Sequence, residues 1–220
     1  MEKNPLKAVI IATMLEAKPF VSMFSLEPEL SFEPVNKKPF LVFKREKLLL
    51  IISGIGKTNA AMATAYCAIK YKPDAIFNIG AAGALSPSKK RGETYQIRKV
   101  IEHDRLDFKN SDPVIHIPFT MEGFTTAVLS SSDNAAVSME GRKSVSRYGG
   151  ELVDMEGASI VQTCKKFQIP CYIFKYISDT MEDNESSTIV DNIRQCRQAS
   201  SQFFKDKILR AYKAIPHTKS

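Results

Sequence analysis

The chain has 220 residues, with 31 Lys and Arg against 24 Asp and Glu and a formal charge of +7. That length suits one well-covered α/β domain, so a single domain over residues 1–220 is expected, and 44% hydrophobic with 25% charged residues excludes long disordered regions. The basic residues are scattered among acids rather than gathered in a stripe, and Lys89-Lys90-Arg91 after Ser-Pro-Ser reads as a solvated turn, so nucleic acid is not the expected partner.

In chain order, the opening segment holds AVIIA at 8–12, too short for a signal-peptide core or a membrane span. It is closed by Glu16 and Lys18 rather than a cleavage site, so a cytoplasmic protein with no membrane partner is expected. FLVFKREKLLLIIS follows, with Arg45-Glu46-Lys47 at its middle, and reads as an antiparallel hairpin whose second arm is LLLIIS at 48–53. Next, Ala61, Ala65, Ala68 and Ile69 recur at helical spacing up to Pro73, which predicts a crossover helix. AIFNIG at 75–80, TAVLSS at 126–131 and CYIFKYIS at 171–178 are further apolar runs, and EGASIVQTCKKF runs helically to Phe167 before Pro170. Ile193, Cys196, Ser200, Phe204, Ile208 and Ala211 predict one amphipathic closing helix.

Runs of five to eight residues that are apolar at consecutive positions suit strands covered on both faces. Their alternation with helices predicts a three-layer α/β/α fold, and the hairpin makes the central sheet mixed rather than purely parallel. Four cysteines without CxxC spacing (Cys67, Cys164, Cys171, Cys196) read as free thiols in a reducing compartment. The histidines His103, His116 and His217 lack the neighbours a zinc site needs, so no metal and no organic cofactor is expected.

Ligands of open α/β sheets gather beyond the carboxyl ends of the strands. The residues there are Glu16, SGIGK at 53–57, GAAGAL at 80–85, SSSDN at 130–134, DMEG at 154–157 and Ser178-Asp179. SGIGK is either a tight strand-to-helix turn or a cradle for an anion on free amides. GAAGAL reads as a glycine turn that admits a ligand or merely packs closely. Asp179 is a helix cap or a working acid, and Glu156 is a favourable charge at a helix N-terminus or a site residue. His103-Asp104 reads as a solvated loop pair.

Taken together these pieces resemble the nucleoside phosphorylase and nucleosidase superfamily, and most closely its 5′-methylthioadenosine/S-adenosylhomocysteine nucleosidases, with futalosine hydrolases also similar. The resemblance rests on the first strand through Glu16, SGIGKTNAA at 53–61, PDAIFNIGAAGAL at 73–85, VDMEGASI at 153–160 and ISDT at 177–180. It implies hydrolysis of the N-glycosidic bond of a 5′-modified purine nucleoside, with Asp179 as general acid toward N7 of the base, Glu156 on the ribose hydroxyls, and Met155 beneath the ribose. Glu16 is implied as general base; counting from Met14 would instead land on Ala17, and the frame through Ala12-Thr13 is preferred because the chemistry needs a base. Ile55, Ala81, Gly83, Asp133 and Ser178 are the remaining implied substrate contacts, and a homodimer is the implied assembly.

Several departures from the family pattern bear on the reaction. The third-strand segment lacks the arginine and serine with which phosphorylases hold phosphate, so water is the expected nucleophile. Asn134-Ala135-Ala136 lacks the aromatic residue that stacks on the purine, which leaves a futalosine-type substrate open; with Ala81 where nucleosidases carry a serine and the frame at Glu16, a nucleoside-binding protein with impaired catalysis also stays open, and a purine nucleoside phosphorylase is a further alternative.

Overall fold

The computed structural model describes residues 5–29, 39–109, 112–136, 138–183 and 185–215; His217 lies outside them. In chain order the elements are β1 (Lys7–Ile11), α1 (Met14–Met23), β2 (Glu27–Pro28), β3 (Leu41–Arg45), β4 (Leu48–Ile52), α2 (Lys57–Tyr71), β5 (Ala75–Ala84), β6 (Thr94–Leu106) and β7 (Pro113–His116). They continue as β8 (Thr126–Ser131), α3 (Met139–Ser146), β9 (Leu152–Asp154), α4 (Gly157–Lys166), β10 (Cys171–Asp179), α5 (Ser186–Phe203), a π-helical turn (Phe204–Ile208) and α6 (Leu209–Lys213).

The five apolar runs are β1, β4, β5, β8 and β10, and burial on both faces explains their composition. In β1, Ala8 and Ile10 join a core with Leu49 and Ile51 of β4 and with Ala60, Ala63 and Cys67 of α2. Their neighbours Val9 and Ile11 enter a second core with Phe77 of β5, Ala17 and Phe20 of α1, and Phe204 and Ile208 near the C-terminus. The sheet is thus sandwiched by α2 and α4 on one face and by α1 and the C-terminal helices on the other.

The sheet is mixed: β1 is parallel to β4 and β5, β5 is parallel to β10, and β3 and β4 form the expected antiparallel hairpin. Glu46 stands at φ 51° in its turn. One feature of the topology was not foreseen. β5 carries β10 on one edge and, past the end of β1, β9 on the other; β9 meets β8, β8 meets β6, and β6 meets β10. These strands close into a ring, with β1, β4, β3 and β2 as a flange.

β6 escaped the sequence reading because Arg98, Lys99, Glu102, His103, Asp104 and Arg105 break up its apolar pattern. Pairing explains how the charge is accommodated: buried Glu102 meets Lys57 Nζ and His116 Nε2, each at 3.0 Å. Burial works against the Glu102 charge, but these partners outweigh it and pull its pKa down to about 2. The expected solvated pair His103-Asp104 therefore lies within a strand, where Asp104 binds Lys57 Nζ at 2.7 Å and His103 stacks on Tyr148. Lys89 is likewise not simply solvated, since it pairs with Glu151 at 2.8 Å and lies over the Tyr95 ring.

The GAAGAL segment is also not a turn. β5 runs to Ala84, with Ala81 opposite Tyr176 and Gly83 opposite Val153, so its small residues sit in strand pairing on both edges. The closing helix is not continuous α-helix either, because the π-helical turn intervenes and its Phe204 and Ile208 remain buried. Neither α1 nor α3 was expected. The signal for α1 is a capping pattern, Thr13-x-x-Glu16, in which Thr13 Oγ1 accepts from the Glu16 amide at 3.3 Å. Pro19 inside α1 has no amide to offer the Leu15 carbonyl, and Arg197 Nη1 donates to that oxygen instead at 2.6 Å.

Candidate active site

A cavity of about 270 Å³ opens at the carboxyl ends of β1, β5 and β10 and against β9. Of the residues expected at the site, Glu16, Ile55, Ala81, Gly83, Met155, Glu156, Ser178 and Asp179 all line it. Asp133 does not: it lies on the outer side of the SGIGK loop, where its Oδ1 accepts from the Lys57 amide at 2.7 Å. Ala17 packs into the core beneath α1, whereas Glu16 lines the cavity together with Thr13 and Leu15 of the same turn.

Glu16 is held from two sides. Thr13 Oγ1 donates to its Oε2 at 2.7 Å, and the Ala81 amide donates to its Oε1 at 2.9 Å. Gly80 makes this approach possible, since a Cβ there would lie 3.2 Å from Glu16 Oε1. The small residues of β5 therefore admit a carboxylate from the chain itself.

The SGIGK loop behaves in the same way. Gly54 and Gly56 have φ of 86° and 98°, a region that favours glycine, and they turn the chain into α2. The amides exposed at this helix start do bind anions, but the anions are internal: Gly56 N–H donates to Glu156 Oε1 at 3.0 Å, and Lys57 N–H to Asp133. Both readings of the motif thus hold together.

Behind Glu156 lies a residue that sequence reasoning missed. Lys175 Nζ contacts Asp154 Oδ2 at 2.8 Å, and both side chains are 1% exposed. The same Asp154 oxygen accepts from the Gly157 amide at 2.9 Å, so Asp154 rather than Glu156 caps α4. Burial opposes the Lys175 charge, yet Asp154, Glu156 and Glu16 outweigh it and hold its pKa above the usual lysine value. One cation cannot satisfy three carboxylates. Burial, and then the neighbouring Asp154, push Glu156 up to about 7 against the pull of Lys175 and the Gly56 amide. The inner end of the cavity therefore has an excess of negative charge.

At the opposite end Asp179 closes β10, and it caps no helix, because α5 begins only at Ser186. Ser178 Oγ donates to its Oδ1, and Arg142 Nη2 to its Oδ2. Arg142 comes from α3, an element the sequence pattern did not reveal, and it is the one cation among the described residues lining the cavity. Asn134 and Ala135 line the same end, with no aromatic side chain among the described lining residues there.

Among its described lining residues the site offers carboxylates and a single cation that is already ion-paired, which suits a reaction that builds positive charge on its substrate. Among known proteins, the model of the phosphorylase superfamily matches residues 7–130 and 120–210. The 5′-methylthioadenosine/S-adenosylhomocysteine nucleosidase of Buchnera aphidicola is 29% identical over 187 residues, covering 74% of this chain and 79% of that protein. Two solved structures share the fold. The 5′-methylthioadenosine nucleosidase of Arabidopsis thaliana has a TM-score of 0.83 at 19% identity, covering 99% of this chain and 98% of the other. The futalosine hydrolase of Helicobacter pylori has a TM-score of 0.79 at 20% identity, covering 94% and 98%. With the family model spanning nearly all of β1 to α6 and the site built at its strand ends, the chain belongs to the phosphorylase superfamily.

Proposed function

We propose that this protein hydrolyses the N-glycosidic bond of a 5′-modified purine nucleoside of the methylthioadenosine or adenosylhomocysteine type, releasing the free base. The observation that carries this reading is that Glu16, Glu156 and Asp179, from three distant segments, line one cavity whose inner end has a single buried lysine among three acids.

Cleaving a ribosyl–purine bond places positive charge on the sugar and negative charge on the departing base. The sugar belongs at the carboxylate-rich end, where Glu156 accepts from ribose hydroxyls and faces the developing oxocarbenium, with Met155 against the ring. Glu16 takes the proton of the attacking water, and its hydrogen bonds to Thr13 and Ala81 hold it in place for that task. Asp179 delivers a proton to N7, and the C–N bonding pair leaves with the base. Neither the one cation among the described lining residues nor the Ala81 amide is free for phosphate: Arg142 is ion-paired with Asp179, and the amide is already donating to Glu16.

A futalosine-type nucleoside is the second reading, favoured by the open, non-aromatic lining at Asn134 and Ala135. The four free cysteines, three of them buried, support a reducing, cytoplasmic location. Exposed Ile55, Met62 and Ile69, together with Leu106 and Ile115, supply apolar surface for the homodimer that the family resemblance implies.

The test is base release from 5′-methylthioadenosine, S-adenosylhomocysteine, inosine and a 5′-carboxylated inosine, each with and without phosphate. Phosphate-independent release of adenine from the first two is expected. Ribose 1-phosphate formed only with phosphate would make the protein a phosphorylase, and binding without release would make it a nucleoside-binding protein.

A further inference from the structure

Arg142 is 1% exposed, and none of the steps above uses it. It stands in the first turn of α3, where Ser138 accepts from the Gly141 amide at 3.1 Å and from the Arg142 amide, through its carbonyl, at 3.0 Å. From this capped turn its Nη1 donates to the Ala84 carbonyl at 3.2 Å. Nη2 donates to the Asp183 carbonyl at 3.3 Å and to Asp179 Oδ2. Its Nε is buried and has no hydrogen-bond partner among the described residues.

An ion pair buried with an orphaned N–H is a poor source of stability, since a well-packed apolar side chain of similar volume commonly does as well or better. The surrounding fold nevertheless makes room for it. At Gly83 a Cβ would lie 2.7 Å from Asp179 Oδ2 and 3.3 Å from Arg142 Nη1, so β5 carries no side chain where the pair sits. Each Asp179 oxygen has a donor available to it, Ser178 Oγ on Oδ1 and Arg142 Nη2 on Oδ2, so an ionised Asp179 has partners on both oxygens. That is the state Asp179 reaches once its proton has gone to the base.

We infer that Arg142 is a positioning residue for the leaving-group proton transfer: it fixes the Asp179 carboxyl toward the base and neutralises the charge that carboxyl acquires. In the balanced step, the Asp179 O–H bond breaks, N7–H forms, and the glycosidic electron pair leaves with the purine. Water bonds to the sugar, and its proton passes to Glu16, whose release to solvent offsets the reprotonation of Asp179. A charge left on Asp179, itself buried, would be costly without a partner already in place. The inference rests on the hydrolytic reading of the site.

The test compares wild type, Arg142→Met and Arg142→Lys on 5′-methylthioadenosine and on the 5′-methylthio p-nitrophenyl riboside, whose p-nitrophenolate departs without a proton. Arg142→Met is expected to lower kcat on the nucleoside by about 100-fold with KM little changed, and to lose about tenfold less on the p-nitrophenyl substrate. Arg142→Lys, which keeps the charge but not the fork, is expected to recover part of kcat on the nucleoside. Equal losses on both substrates, in whichever of the two variants folds, would reduce Arg142 to a structural role. Wild-type protein that cleaves neither substrate would overturn the hydrolytic reading and the inference with it, whereas an active wild type with equal losses overturns the inference alone.

Discussion

The Gly56 amide donates to Glu156 Oε1 at 3.0 Å across a separation of 100 residues in sequence. The contact joins the turn that starts α2 to the turn that starts α4, and it places a helix-terminal N–H on a carboxylate that the lysine behind it neutralises only in part. Glu156 is thereby oriented yet left with a proton affinity near neutrality, which makes it sensitive to pH in the range where the enzyme would work.

For Glu156 the pKa is raised from 4.5 to about 7, chiefly by burial and then by Asp154. A carboxyl raised on folding contributes stability that is present below its unfolded value and lost as pH climbs from about 4.5 toward about 7. The melting temperature of wild type should therefore fall relative to Glu156→Gln across that interval. Because the proposed mechanism places the ionised form beside the oxocarbenium, kcat/KM of wild type should rise with pH and level off above about 7. Parallel melting curves for the two proteins would contradict this.

Replacing Glu16 by Gln keeps its size and its hydrogen bond from Ala81 but removes the carboxylate proposed as general base. We expect kcat to fall by about 100- to 10,000-fold while nucleoside affinity, measured by calorimetry, changes little. Retention of kcat within a few-fold would assign water activation elsewhere.

Truncating Lys175 to Met leaves Asp154, Glu156 and Glu16 without their buried cation. Breaking such a pair from one side costs about 3–5 kcal/mol, which urea unfolding at neutral pH should report. The loss should shrink at acid pH as the stranded carboxyls take up protons; a pH-independent loss would point to packing instead.

At Gly83, an alanine would put a methyl group 2.7 Å from Asp179 Oδ2. The carboxylate must move, so Gly83→Ala should lower kcat on purine nucleosides by about 100-fold, since a displacement of about 1 Å at a reacting group suffices for that. An active Gly83→Ala enzyme would show that Asp179 works from another position.

Ala135 lines the cavity as an exposed residue at the end proposed for the base. Ala135→Phe should add a stacking partner worth about 0.5–1.5 kcal/mol, lowering the dissociation constant for adenine by about two- to tenfold. Unchanged or weaker adenine binding would mean that the ring of the base does not lie against this segment.

Much of the fold was legible because apolar runs buried on both faces announce themselves without tertiary context: β1, β4, β5, β8 and β10 all lie where consecutive apolar residues stand. β6 was hidden because its acids Glu102 and Asp104 are satisfied by Lys57 and, for Glu102, by His116, partners far along the chain or across a hairpin. The mistaken turn at Gly80–Leu85 has a similar cause, for glycine and alanine read as a break when nothing shows that two strands and a carboxylate press against them. In the site, the acids stood in motifs that could be recognised, whereas their partners Lys175 and Arg142 lay in a strand interior and in an unrecognised helix.

The sequence by itself determined which acids stand at strand ends and that α2 and α4 follow the SGIGK and DMEG turns, because local periodicity and turn residues are properties of neighbouring positions. Only the tertiary structure decided which cation each acid meets, that Asp133 turns away while Glu16 turns in, and that the sheet closes on itself. The physical reason is that electrostatic environment and strand closure depend on groups brought together by packing, and no spacing along the chain encodes those distances.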